Sequence, residues 1–259
     1  MSAEPILTVD DVAMRFGGVV ALDGLSFWVA PNSIHAVIGP NGSGKTTLLN
    51  SISGAYRPDR GSIKLSGAEL IGRPPHQIAG LGLTRTFQNI RLFNTLTVLE
   101  NVMTARPPAG PSMFISTILA TRNARCVEAA THEHARRALR RLGLEHLAGQ
   151  KANALPYARQ RLLEIARALA REPKLMLLDE PAAGMNMTEA RELMTLVRSI
   201  RDDGITIVLV EHNMRLVMDI SERITVLDFG KKIAEGTPNE VRADPDVIRA
   251  YLGTGRKRA

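Results

Sequence analysis

Gly39-Pro40-Asn41-Gly42-Ser43-Gly44-Lys45-Thr46-Thr47 fits the pattern G-x-x-x-x-G-K-[ST], and its flanks are those the pattern requires. Before it stands the apolar, strand-like run Ile34-His-Ala-Val-Ile38; after it, Thr47-Leu-Leu-Asn-Ser-Ile-Ser53 reads as the opening of a helix. Gly39, Gly42 and Gly44 have no Cβ, so the backbone can turn several N–H groups inward onto phosphate oxygens, assisted by the positive end of the helix. Lys45 has the reach for the β and γ phosphates, Thr46 offers a hydroxyl to Mg²⁺, and Thr47 adds a polar contact. A chance match in a chain of this length is on the order of one in a hundred. The strand before and the helix after make an ordinary glycine turn a poor alternative.

A second motif supplies carboxylates. Leu175-Met-Leu-Leu178 is a fully apolar strand that runs into Asp179-Glu180-Pro181, at the end of a parallel strand where ligands bind. Asp179 is suited to hold Mg²⁺, directly or through water, and Glu180 to polarise an attacking water as general base. His212 follows the apolar run Ile205-Thr-Ile-Val-Leu-Val210 and Glu211, which puts it at the same sheet edge, where it could donate to a γ phosphate. Gln88, after Leu83-Thr-Arg-Thr-Phe87, says little alone and more as part of this series.

Composition bounds the rest. A chain of 259 residues with 44% hydrophobic content has ample material for a buried core. The single cysteine, Cys126, leaves no internal disulfide and no multi-cysteine metal site. Met-Ser-Ala-Glu-Pro at the start lacks a basic and apolar signal region, and the apolar stretch around Met113 to Ala120 is too short to span a bilayer, so a cytosolic chain is expected. The net charge of +7 is spread, with clusters at Arg136-Arg137, Arg140-Arg141 and Arg256-Lys-Arg258. The first two alternate with Ala and Leu at helical spacing and read as a solvated face; with three Tyr and one Trp there is no aromatic-basic platform for stacking bases, and no nucleic-acid partner is expected.

Ile6 to Val9, Leu25 to Val29 and Ile63 to Leu65 are short β-type runs between turn residues, which predicts an antiparallel sheet beside the phosphate loop. From about Leu96 to Arg171 the period becomes helical, including Ala124 to Leu142 and Gln160 to Leu169, with a loop at Pro107-Pro108-Ala-Gly-Pro111. Strands return at Leu175 to Leu178, Ile205 to Val210 and Ile224 to Leu227, with helices between them. They are expected to pair in one parallel sheet with the loop-bearing strand. The segment from Pro238 to Leu252 reads as two short helices broken at Pro245.

With these elements in order, the chain resembles the ATP-binding subunits of ABC transporters over nearly its whole length. Gly39 to Thr47 look like the Walker A loop, Leu175 to Asp179 the Walker B strand, Glu180 the catalytic carboxylate, Gln88 the Q-loop and His212 the switch histidine. The resemblance implies an α/β fold of the P-loop NTPase (RecA-like) type, with an antiparallel β subdomain and an α-helical insertion. It places the nucleotide-binding core at 1–95 and 172–259 and the helical subdomain at 96–171. It implies ATP and Mg²⁺ as cofactors: Phe16 stacking on adenine, Gly39, Asn41, Gly42, Ser43, Gly44, Lys45, Thr46 and Thr47 on the phosphates, and Thr46, Gln88 and Asp179 at the metal. Glu180, His212 and Lys45 are its catalytic set.

Within the family, Thr84-Arg-Thr-Phe-Gln-Asn-Ile-Arg-Leu-Phe93, Glu180-Pro-Ala-Ala-Gly184, Glu235-Gly-Thr-Pro and Val247-Ile-Arg-Ala-Tyr-Leu-Gly253 look like the branched-chain amino acid importers. Urea or amide importers and the lipopolysaccharide-export ATPase share parts of that pattern, and a soluble ATP-switched interaction module is a further alternative. The resemblance implies membrane permease subunits as partners, with Asn89-Ile-Arg-Leu-Phe93 beside them, and a peripheral place on the inner face of the cell membrane. One motif departs: the signature, normally Leu-Ser-Gly-Gly-Gln or the same with Tyr in the middle, reads Leu155-Pro156-Tyr157-Ala158-Arg159-Gln160. In the family it caps the γ phosphate on the opposite subunit. Pro156 removes a hydroxyl and an N–H, Ala158 loses the freedom of glycine, and Arg159 brings a charge that could meet phosphate. Each lost contact costs about 1.5 to 3 kcal/mol, which favours a heterodimer whose second ATP-binding subunit supplies a sound signature.

Overall fold

The computed structural model describes residues 4–105 and 122–252. The Pro107-to-Pro111 loop, the Met113-to-Ala120 stretch and the Arg256-to-Arg258 cluster lie outside the described residues. The chain divides into two compact units: residues up to Gln88, with Lys174–Ala183 and everything from Ala190 on, form the first, and Asn89–Pro173 with Gly184–Glu189 the second.

In the first unit, β1 (Leu7–Phe16), β2 (Val19–Val29), β4 (Arg60–Leu65) and β5 (Ala68–Glu69) make an antiparallel sheet in the order β2-β1-β4-β5. β2 begins at Val19, earlier than its β-type residues announce, because pairing with β1 carries the strand through Asp23 and Gly24 with irregular register. A six-stranded sheet runs β10-β9-β3-β8-β7-β6, from β3 (Ile34–Ile38), β6 (Leu83–Arg85), β7 (Leu175–Asp179), β8 (Thr206–Val210), β9 (Arg223–Asp228) and β10 (Lys231–Gly236). All of its pairings are parallel except the β9-β10 hairpin. β3, β7 and β8 are buried at every position, the reason they read as unbroken apolar runs rather than alternating ones. Parallel strands need crossovers, and these include α1 (Lys45–Ile52), α6 (Met187–Asp202) and α7 (Met214–Ile220). α2 (Pro75–Gly80) precedes β6. Leu7, Leu22, Val37, Leu48, Leu175 and Val208 belong to one buried cluster that joins the two sheets through α1.

Inside this core sits a titratable group. His35 on β3 is 1% exposed, its Nε2 lies 2.8 Å from Thr225 Oγ1, and burial pushes its pKa down from 6.5 to about 4. Glu235 opposes that shift, while Arg223 and Lys232 add to it. The folded state therefore holds His35 neutral at a pH where the unfolded chain takes up a proton. Its contribution to stability is whole above about pH 6.5 and is lost as pH falls toward 4, amounting to about 3 kcal/mol. Denaturant midpoints measured across that window should fall, and His35→Gln should flatten the slope; an unchanged slope would refute the assignment.

In the second unit, α3 (Val98–Met103), α4 (Arg122–Arg141) and α5 (Tyr157–Leu169) pack pairwise. α3 opens on a capping box in which Thr97 accepts from the Glu100 N–H and the Glu100 carboxylate accepts from Thr97. α5 begins at Tyr157, not Gln160, because Pro156 sits at the N-cap, where a missing N–H costs the helix no internal bond. On α4, Arg136 and Arg140 pair with Glu145, and Arg140 also with Glu133, the ion-paired solvent face that helical spacing announces. No helix among the described residues is long and apolar enough to cross a membrane.

Candidate nucleotide site

The candidate residues of the first unit gather at the carboxyl ends of β3, β7 and β8, the edge where open α/β sheets hold ligands. β3 ends at Ile38, and the loop from Gly39 to Gly44 leads directly into α1. Two glycines there are sterically obligatory. A Cβ on Gly39 (φ +152°) would stand 2.1 Å from the Leu227 carbonyl oxygen, and one on Gly44 (φ +104°) 2.5 Å from that of Ala21. The Lys45 ammonium is buried and donates to the carbonyls of Gly39 and Pro40, at 2.8 Å each. Burial lowers its pKa, while the charges of Glu180 and Asp179 hold it up. Ser43 Oγ is buried and has no hydrogen-bond partner among the described residues. A buried hydroxyl, a buried cation and a glycine-lined turn at a helix N-terminus are a donor set that fits a polyphosphate.

Asp179, the last residue of β7, is 4% exposed, and its Oδ2 accepts from Arg85 Nη2 at 2.9 Å. Arg85 also donates to Asn50 Oδ1 at 2.6 Å and Ser53 Oγ at 3.1 Å, and its guanidinium lies 5.0 Å from the centre of the Phe87 ring. The sequence reading gave Arg85 no role. Its neighbours Thr84 and Thr86 are buried, so its charge needs a carboxylate within reach, and that carboxylate comes from a strand far along the chain.

Glu180 takes φ +48°, the left-handed region that side chains with a Cβ avoid, a strained conformation of the kind found at functional sites. Its N–H donates to the Val210 carbonyl at 2.8 Å. One carboxylate oxygen lies 2.5 Å from His212 Nε2, and the other accepts from Gln88 Nε2 at 3.0 Å. Gln88, Glu180 and His212 thus meet, as their order in the chain anticipates. Phe16, at the end of β1, is 44% exposed and meets Tyr56 edge to face at 5.3 Å, presenting a ring at the surface rather than filling the core. Asn41 and Gly42 are exposed in the loop, Thr46 is exposed on the first turn of α1, and Thr47 is half-buried beside it.

In the second unit, Tyr157, Arg159 and Pro156 are exposed at the start of α5 and Ala158 is half-buried. Gly184 (φ +78°) abuts the Tyr157 ring, where a Cβ would come within 2.9 Å. The Phe93 ring, half exposed, carries the Arg167 guanidinium at 5.2 Å, and buried Asn101 clamps the Phe93 backbone by accepting its N–H and donating to its carbonyl.

Comparison with known proteins agrees with this architecture. The family described as ABC transporter matches residues 22–183, and the one described as branched-chain amino acid ATP-binding cassette transporter matches residues 231–257. The chain is 42% identical to the high-affinity branched-chain amino acid transport ATP-binding protein BraF of Pseudomonas aeruginosa, with 97% of this chain and 99% of that protein covered. It is 43% identical, with the same coverage, to LivG of Escherichia coli, which carries the same description. A nucleotide-free ATP-binding cassette from an ABC transporter superposes with a TM-score of 0.84 at 32% identity, covering 97% of this chain and 100% of that one. The ADP conformation of such a cassette gives 0.83 at 31%, with the same coverage. The RecA-like core, the edge-clustered loop, carboxylates and histidine, and these full-length likenesses converge on one assignment: the chain belongs to the ATP-binding cassette family, as an ATPase subunit of ABC transporters.

Proposed function

We propose that this chain binds and hydrolyses ATP to drive the import of branched-chain amino acids through membrane permease subunits, working from the inner face of the cell membrane. The observation that carries the reading is the convergence of Lys45, Asp179, Glu180 and His212 at one sheet edge, together with the match of residues 231–257 to the branched-chain family. Gly39 to Thr47 would hold the phosphates and Phe16 would stack on adenine. Thr46, Asp179 and Gln88 would hold Mg²⁺, which when bound supplies charge neutralisation for the phosphates. Glu180 orients and deprotonates water, His212 holds the carboxylate and donates to the γ phosphate, and Lys45 neutralises charge on the oxygens. The first unit serves as nucleotide-binding core and the second as helical subdomain, the second starting at Asn89 and ending at Pro173 rather than spanning 96–171, with Gly184–Glu189 added to it. The half-exposed Phe93, fixed by Asn101 and Arg167, suits a docking residue for the permease.

The altered signature makes the partner a different ATP-binding subunit. Arg159 is free of the helix core, yet Pro156 and Ala158 supply neither the hydroxyl nor the glycine backbone that caps a γ phosphate. Two copies of this chain would share two weakened sites. Purified alone, the chain should hydrolyse ATP at least about tenfold more slowly than when combined with the second subunit of its own membrane complex. Equal rates would overturn the asymmetry. Uptake of labelled leucine, isoleucine and valine by cells lacking the chain tests the solute: loss is expected, and normal uptake would overturn it.

A further inference from the structure

Glu211 has no part in the chemistry described so far, yet it is a carboxylate only 4% exposed, at the end of β8 beside the reacting edge. Its Oε1 accepts the Ala182 N–H at 2.8 Å, and its Oε2 accepts the His212 N–H at 3.2 Å. Ala182 lies two residues after Glu180 in a tight turn that the Ala183 N–H closes onto the Glu180 carbonyl at 3.1 Å. One side chain therefore grips the His212 main chain and the turn that leaves Glu180, the two residues whose side chains lie 2.5 Å apart as the Glu180–His212 pair. Only a carboxylate has an acceptor oxygen for each of two such N–H donors; a hydroxyl has one oxygen, and an amide has one oxygen and two donors. Burial pushes the Glu211 carboxyl above the usual range, the two N–H groups pull it back down, and the Glu180 charge adds to the upward push. Burying a carboxylate is costly, and here the cost is offset by two main-chain N–H donors that an apolar side chain would leave unsatisfied.

We infer that Glu211 is a positioning residue for hydrolysis: it locks the strained Glu180 turn and the His212 backbone together, so that the general base and the histidine keep one relative geometry. The inference rests on the ATPase reading of Glu180. Displacement of a general base by even about 1 Å can slow a reaction by two orders of magnitude without touching the binding of substrate. Glu211→Gln keeps the shape but turns an N–H toward one of the two donors, and Glu211→Asp keeps the charge on a stem about 1.5 Å shorter, unable to span both.

The test measures turnover and MgATP affinity of both variants in the purified membrane complex with its companion subunits. Glu211→Gln should lower kcat by about 10- to 100-fold while KM and the Kd for MgATP stay within about twofold. Glu211→Asp should show a smaller loss of the same kind, and it carries the test if the Gln variant does not fold. Turnover within twofold of wild type in the folded variants would overturn the inference, and so would a parallel loss of affinity and kcat, which marks a merely structural role. If wild type hydrolyses ATP and Glu180→Gln does not, such an outcome counts against Glu211 alone; if Glu180→Gln is also fully active, the underlying reading has failed first.

Discussion

Glu180→Gln should leave MgATP binding intact and lower hydrolysis at least about 100-fold, the low end of what a general base contributes. The substitution is nearly isosteric, and the strained φ of +48° is as accessible to Gln as to Glu. What changes is chemistry. Both carboxylate oxygens are engaged, one by His212 and one by Gln88, and an amide offers only one acceptor to those two partners and cannot take a proton from water. ATP should hold the assembled subunits closed, seen as nucleotide-dependent association that no longer decays with time. Unchanged turnover would remove Glu180 from the catalytic role.

Arg85→Met is expected to have the largest effect on stability. Arg85 and Asp179 are each 6% exposed in their side chains, and breaking such a pair from one side leaves an uncompensated buried charge, at a cost of about 3–5 kcal/mol. For a chain of this size that corresponds to a fall in Tm of roughly 10 °C. The bonds from Arg85 to Asn50 and Ser53 tie α1, which follows the phosphate loop, to the strand end that carries Asp179. The double variant Arg85→Met with Asp179→Asn should regain part of the loss, because the orphaned charge is gone. A single variant as stable as wild type, or a double variant showing strict additivity, would contradict the clamp. Arg85 thereby holds Asp179 in place ahead of any metal, and loss of the clamp should weaken Mg²⁺-dependent nucleotide binding as well as the fold.

Local pattern sufficed for the phosphate loop, the apolar strands, the two short helices Pro238–Ala243 and Pro245–Leu252, and the meeting of Gln88, Glu180 and His212. Each of these is written in nearest-neighbour chemistry: a glycine where only glycine fits, an unbroken apolar run where both faces of a strand are covered, a polar residue where such a run stops. The start of β2 was hidden because Asp23 and Gly24 look like a turn, whereas the pairing of Val19, Val20 and Leu22 with β1 carries the strand past them through a shift in register. The start of α5 was hidden because Pro156 reads as a breaker until it is seen to occupy the cap.

The sequence by itself determined which chemistry this protein can perform, since the loop, the carboxylates and the histidine are specified by residue type and spacing. Only the tertiary structure decided which buried charges support that chemistry. Arg85 meets Asp179 across 94 positions, and Glu211 meets the Ala182 N–H across 29. Such pairs carry no local signature, because the free energy of a buried charge depends on what the fold brings beside it rather than on its neighbours in the chain.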